Sequence, residues 1–265
     1  MEKIVESRKL KHKALENQVR AKRKKLKKMP TIAITDLDPS EIPHHFSLTH
    51  CPPTEFELSP SKTEQASLPP HLDSILADYD MATGGSPKNE ALIRSRIDVI
   101  ILTTLVKMKR EFLAKPRTSV TSSSLKSVHL QFEREIKFVW KSGKRRVRLA
   151  GIVDYSLWYG MPNDYATNMA MVEATQPHLI KQGVFQCLAY MAMIHKTRKQ
   201  ANVPDTSVYG IATDSFEWVF IRIRPNGEYV KKSYEWALSS QEIVSMLAKI
   251  FAQAAGFDPQ TGHKG

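Results

Sequence analysis

Cysteine is nearly absent from this chain: Cys51 and Cys187 are the only two in 265 residues. One lies in a proline-rich segment and the other in a stretch with helical periodicity. Neither a disulfide framework nor a cysteine-built zinc site is therefore available. Long apolar runs are missing as well. No run reaches the ~18 residues that read as a membrane span. The opening MEKIVESRKLKHKALENQ has no apolar core of the kind a secretory signal carries. No internal repeat is evident. These absences argue against a stapled secreted scaffold and a transmembrane protein, and lead to the expectation of a soluble, intracellular chain.

What is present is an ordinary globular composition, 42% hydrophobic and 25% charged, with positive charge gathered at one end. The formal net charge is +12. Residues 1–28 hold 12 of the 39 Lys and Arg but 3 of the 27 Asp and Glu, leaving only +3 for the remainder. Such a tail suits a polyanionic partner, most often nucleic acid. Within it, Leu15, Val19 and Leu26 form a thin stripe at helical spacing. KRKKLKK, Lys22 to Lys28, looks like a nuclear localisation signal or a nucleic-acid contact. A solvated basic helix is the alternative. The expected location is nuclear if the organism is a eukaryote.

From 29 to 87 the composition shifts. Nine of the fifteen prolines fall there, which predicts an irregular linker broken by one short helix over 71–79. A folded domain is expected over 88–256, followed by a tail over 257–265. Its elements read in order as a helix (89–113), a Ser-rich loop, strands at 128–140, 146–160 and 169–175, and a helix over 178–199. Two strands around an Asp-Ser turn (207–225), a further strand and a C-terminal amphipathic helix complete the pattern. The implied class is α/β, an α+β sandwich with helices on the faces of a sheet.

Strand alternation puts Arg146, Arg148, Ile152 and Asp154 on one face of the second strand, and Met169, Met171, Glu173 and Thr175 on one face of the third. If these strands pair, Asp154 and Glu173 stand side by side near the strand ends. Two half-buried carboxylates so close repel each other, and a divalent ion resolves the conflict, with oxygen ligands, water and phosphate completing its shell. Each residue also has a structural reading: Asp154 as a turn residue, Glu173 as a salt-bridge partner of Arg148, Glu90 as a first-turn acid, and Gln186 and Tyr190 as interface lining. His178 and His195 read as structural or solvent-facing, and Trp158, Trp218 and Trp236 as core or rim aromatics.

Taken together, Asp154 in GIVDY, Glu173 in VEAT and the pair Gln186 and Tyr190 in QCLAY resemble the PD-(D/E)XK nuclease superfamily, in its RecB-like branch. The resemblance spans about residues 88–225. It implies a restriction-endonuclease-like mixed sheet flanked by helices, and hydrolysis of phosphodiester bonds in nucleic acid, DNA ahead of RNA. It also implies Mg2+ or Mn2+ held by Asp154, Glu173 and the Ala174 carbonyl. Gln186 and Tyr190, four apart on one helix face, would orient the site, and Glu90 matches a glutamate often found on the first core helix. One position departs from the pattern: Thr175 stands where the family has lysine. A hydroxyl hydrogen-bonds but does not neutralise charge, so Arg148 is the candidate replacement, able to stabilise charge but not to act as a base. A catalytically degenerate relative, acting as a nucleic-acid-binding or interaction module, is the alternative that this departure favours.

Overall fold

The computed structural model describes residues 29–52, 56, 65–84, 89–114, 129–142, 145–158 and 170–254. The basic run 1–28, the Ser-rich loop and the 257–265 tail lie outside the described residues. The described helices are α1 (Ile42–Phe46), α2 (Leu72–Thr83), α3 (Glu90–Ala114), α4 (Ile180–Gln200) and α5 (Trp236–Ala254). The strands are β1 (Thr31–Ala33), β2 (Thr49–His50), β3 (His129–Ser142), β4 (Arg145–Trp158), β5 (Ala170–Ala174), β6 (Val208–Thr213), β7 (Glu217–Ile223) and β8 (Glu228–Glu235). Together the strands make one mixed sheet in the order β1-β4-β5-β6-β7-β8-β2, with β3 paired to β4 besides. The chain is thus of the mixed α/β class, with helices covering both sheet faces. None of the described helices is long and apolar enough to cross a membrane.

One face carries α2, α3 and α5. On α3, Ile93, Ile97, Ile100, Ile101 and Leu105 recur at helical spacing and are all buried, forming a single apolar stripe turned to the sheet. They meet Ile243, Leu247, Ile250 and Phe251 of α5, and Trp218 and Phe220 of β7, in one cluster. Buried Arg96 ties this layer together: Nη1 bonds Asp80 of α2 at 2.7 Å, and its guanidinium lies 4.7 Å from the Phe216 ring centroid.

The opposite face carries α4, which is buried almost without interruption from Cys187 to Ile194. A helix apolar on all sides needs cover on its outer surface as well as on its sheet side. That cover comes from the N-terminal segment: Ile34, Ile42, Phe46 and Leu48 join α4 and the sheet in one core cluster. Residues 29–52, read from the sequence as linker, in fact supply two strands and a helix. β1 runs parallel to β4, with Thr31 opposite Arg148, and β2 runs parallel to β8, with Thr49 opposite Glu228. The prolines there mark starts rather than disorder. Pro39 opens a 3-10 turn and Pro43 sits in the first turn of α1, positions where a missing N–H costs nothing.

The remaining expected elements stand within a few residues of their sequence boundaries. Asp214 makes the expected turn between β6 and β7, its Oδ1 accepting from the Phe216 and Glu217 amides at 2.9 and 2.7 Å.

Candidate functional site

β4 is held along one edge by β3, from Arg145 to Trp158 with one rung left out. Its other edge is shared: β1 pairs with residues 148–150 and β5 with residues 155–157. Residues 151–154 fall in the gap, where the ladder passes from one partner to the next. Unpaired buried backbone groups are costly, and two side chains patch them. Tyr190 of α4 donates its hydroxyl to the Ile152 carbonyl at 2.9 Å. Asp154 accepts from the Ala174 amide at 2.8 Å through Oδ2. Tyr190 gets this close because residue 151 is glycine, since a Cβ there would lie 2.4 Å from the phenolic oxygen.

The sheet is also distorted at this point. The β3–β4 pairing skips the rung between Glu133 and Asp154, and Glu133 has φ +48°, unusual for a residue with a Cβ. Val153 belongs to the core on the α4 side, whereas Tyr155, two residues on, belongs to the α3 side. Regular alternation would put both on one face, so β4 turns over at Asp154 and that carboxylate lies against the end of β5.

The β4–β5 ladder ends at the Tyr155–Val172 pair, and Asp154 and Glu173 are the residues that flank its end. The structure therefore brings these two carboxylates to one place. Glu173 is 6% exposed, and its Oε2 has no hydrogen-bond partner. Burial, and then the Asp154 charge, hold its carboxyl well above the usual range. Asp154 is also raised, by burial that outweighs the Ala174 amide and the nearby Arg94. The phenol of Tyr190 and the thiol of Cys187 are pushed up in turn, first by burial and then by the Glu173 charge. Gln186, beside the Tyr190 hydroxyl, draws it partly back down. Thus Asp154, Glu173, Gln186 and Tyr190 form one constellation. Thr175 is beside it, two residues past Glu173, where Gly183 lets α4 approach: a Cβ on that glycine would lie 3.0 Å from the Thr175 Cβ.

The cation that reaches Asp154 is Arg94, on α3. Its Nη2 pairs with Asp154 Oδ1, its Nε faces Glu90 at 3.2 Å, and its Nη1 faces Glu133 at 3.3 Å. Its partial burial is outweighed by the carboxylates of Asp154, Glu90 and Glu133, which push its pKa up. Sequence reasoning named neither Arg94 nor Glu133. The spacing of Glu90 and Arg94, four apart on a helix, was the available signal for the first. Arg148, the candidate on strand alternation, stands six residues back along β4, or about 20 Å, with its backbone amide bonded to the Pro30 carbonyl. The alternative Glu173–Arg148 bridge leaves no trace at Glu173 Oε2, which is unpartnered.

His195 and Trp218 are buried in the fold, whereas His178 faces solvent. His195 is buried, with Nδ1 2.8 Å from the Thr206 carbonyl, and burial lowers its pKa. Beside it, Arg198 bonds the Ser207 carbonyl, and burial pulls its guanidinium down to about 10. His178 is exposed, and Trp218 is fully buried. Among the described residues, no three His, Cys, Asp or Glu side chains are grouped to hold a metal ion. An ion at the Asp154–Glu173 pair would draw most of its shell from backbone, water or substrate. A scan against protein-family models and a search of curated proteins find no match to this chain.

Proposed function

We propose that the chain is a metal-dependent nuclease of the PD-(D/E)XK type, with a restriction-endonuclease-like fold, hydrolysing phosphodiester bonds in nucleic acid. One observation carries the reading: the buried, unpartnered Glu173 oxygen beside a second carboxylate at the point where strands part. A buried acceptor without a donor calls for an occupant, and a cation satisfies both the oxygen and the charge repulsion.

The donor set fits Mg2+ or Mn2+. Asp154, Glu173 and the Ala174 carbonyl are hard oxygen ligands, and magnesium commonly uses one or two carboxylates with water and phosphate elsewhere. Bound there, the ion supplies Lewis-acid stabilisation of the phosphodiester and lowers the pKa of a coordinated water. Arg94 contributes the fixed positive charge that the resemblance would place on a lysine at 175. Being always protonated, it stabilises developing negative charge but takes no proton. Tyr190, with Gln186 beside its hydroxyl, keeps the Ile152 carbonyl engaged and so holds the shape of β4 beside the carboxylates. The basic run at 1–28 adds salt-dependent affinity for the nucleic-acid backbone.

A second reading, a binding module without turnover, has its own observation. Asp154 is already satisfied at both oxygens, by Arg94 and by the Ala174 amide, and no lysine stands at position 175. Purified full-length protein incubated with DNA and with RNA, in Mg2+ or Mn2+ and then in chelator, separates the two. Metal-dependent cleavage lost in both Asp154→Asn and Glu173→Gln supports the nuclease. Cleavage that persists in both variants sinks this site. Binding without cleavage, with turnover gained in Thr175→Lys, supports the second reading.

A further inference from the structure

β4 presents two unlike faces before it turns over at Asp154. Val147, Leu149 and Val153 belong to the core beneath α4, and a Cβ on Gly151 would meet Tyr190 of that helix. Residues 146, 148, 150 and 152 therefore point the other way. The register turns Glu135, Lys137 and Val139 of β3 to the same second face, since Ile136 and Phe138 lie in the α4-side core. Farther along, α3 and α5 cover this face at Tyr155 and Leu157, but here it is open. Arg146, Lys137 and Val139 are exposed, Arg148 is half-buried, and Ile152 is 58% exposed. From Arg146 to Ile152 the open stretch runs about 20 Å.

Two chemistries meet on it. Arg146, Arg148 and Lys137 supply positive charge, and the acid among these positions, Glu135, is held by Lys137 at 2.6 Å. Val139 and Ile152 leave apolar surface between the cations. At the end nearest the carboxylates stands Phe132, opposite Tyr155 in the register. Its ring is 52% exposed and meets the Tyr155 ring edge-on at 5.6 Å. Tyr155 donates its hydroxyl to the Arg94 carbonyl, so this open aromatic ring lies next to the residues around Asp154. The other end adjoins more charge. Residues 1–28, with 12 Lys and Arg against 3 Asp and Glu, lead into β1. There the Pro30 carbonyl accepts from the Arg148 amide at 2.9 Å, and Thr31 pairs with Arg148. The most basic part of the sequence thus joins the fold at the edge of this face.

A sheet face that sets cations among exposed apolar side chains, with an aromatic ring at one end, suits a single nucleic-acid strand. Such a strand offers phosphates to Lys and Arg and unpaired bases to aromatic rings. A duplex keeps its base faces inside and gives the apolar positions nothing to cover them. We propose that the open face of the β3–β4 hairpin binds single-stranded nucleic acid, with phosphates at Arg146, Arg148 and Lys137 and a base against Phe132. The bound strand leads from the basic N-terminal run to the Asp154–Glu173 pair. This names the substrate class of the proposed nuclease and rests on that reading for the strand's end point. As a binding surface it serves the module without turnover equally well.

Fluorescence anisotropy of the full-length protein in chelator reads binding apart from cleavage. The probes are labelled strands of about ten nucleotides, within the usual span of single-strand grooves, as DNA and as RNA, and a DNA duplex of equal length. Titrations run over about 0.2–0.5 M salt, where the reach of the basic run's charge is short. Single strands are expected to bind more tightly than the duplex, and the tighter of the two identifies the sugar. Arg146→Ala should weaken binding and flatten the slope of log K against log salt by about 0.7, one phosphate contact on a single strand. Phe132→Ala should weaken it at least about fivefold, from lost stacking, with the slope unchanged, while Phe132→Tyr stays near wild type. Lys199→Ala, at an exposed lysine of α4 on the other side of the sheet, should change neither, and circular dichroism checks that every variant keeps the fold. A duplex bound as tightly as the single strands overturns the surface. So does binding unmoved in Arg146→Ala or in Phe132→Ala, or weakened as much in Lys199→Ala. If the surface is overturned while wild type cleaves with metal, the nuclease stands. If the face variants lose binding while wild type never cleaves, the surface stands and the nuclease falls.

Discussion

At the scale of the residue, the site depends on what glycine leaves out and what glutamate leaves unpaired. Gly151 lets the Tyr190 hydroxyl reach the Ile152 carbonyl. Gly151→Ala would put a methyl 2.4 Å from that oxygen and 2.6 Å from the ring. Overpacking of this kind costs about 1–3 kcal/mol, and a lowered denaturation midpoint at constant m-value would register it. Tyr190→Phe removes the donor that holds the Ile152 carbonyl, at a cost of about 0.5–1.5 kcal/mol, and loosens β4 beside Asp154. Glu173 gives a pH dependence whose sign is fixed. Its folded-state pKa lies above the ordinary value of 4.5, so the native state holds the proton longer than the unfolded chain. Stability therefore falls as pH rises from about 4.5 through the raised value. Glu173→Gln should be more stable than wild type at neutral pH and lose that advantage below the ordinary carboxylate range. Melting curves across pH check this, and a variant no more stable at pH 7 than wild type contradicts it. If Mg2+ occupies the pair, a tenfold excess over its Kd stabilises wild type by about 1.4 kcal/mol and leaves the Gln variant unmoved.

At the scale of the element, α4 accounts for most of what the sequence showed and for what it hid. The alternation in β3 and β4, the period of α3, the Pro177 turn that leads into α4 and the Asp-Ser turn were all legible, because each is a local pattern. So was the closeness of Asp154 and Glu173, at the ends of strands that pair. Three things were not. The turnover of β4 at Asp154 arises from the change of partner between β1 and β5, which no local pattern records. Arg94 reaches the site because α3 crosses beneath that turnover, a tertiary fact. The strands at 31–33 and 49–50 were obscured by prolines, although CLAYMAMI already signalled a helix needing cover on its outer side. That cover is testable. Phe46 is 1% exposed against α4 and Trp140, so Phe46→Ala should cost about 3–5 kcal/mol, where a linker residue would cost almost nothing. Chemical denaturation distinguishes the two.

At the scale of the molecule, residues 29–52 are part of the fold rather than a leash to it. A chain starting at residue 65 would lack β1, α1 and β2, and would expose the apolar outer side of α4. The expected result is loss of a cooperative melt and association on size exclusion. A chain starting at residue 29 keeps all of them and should melt as the full-length protein does. Under the proposed function, that shorter chain should also show a flatter dependence of nucleic-acid affinity on salt, since log K falls by ~0.7–0.9 per neutralised phosphate per decade of salt.

The parallel pairing of β2 with β8 has a consequence in time. Thr49 meets Glu228 and Thr31 meets Arg148, contacts distant in sequence, and such contacts slow folding because long loops must close before any reward. During synthesis the segment that shields α4 is made well before α4, and its last strand waits for β8. Until then the apolar surface of α4 stands open, an interval in which a chaperone has most to hold and self-association has most to gain.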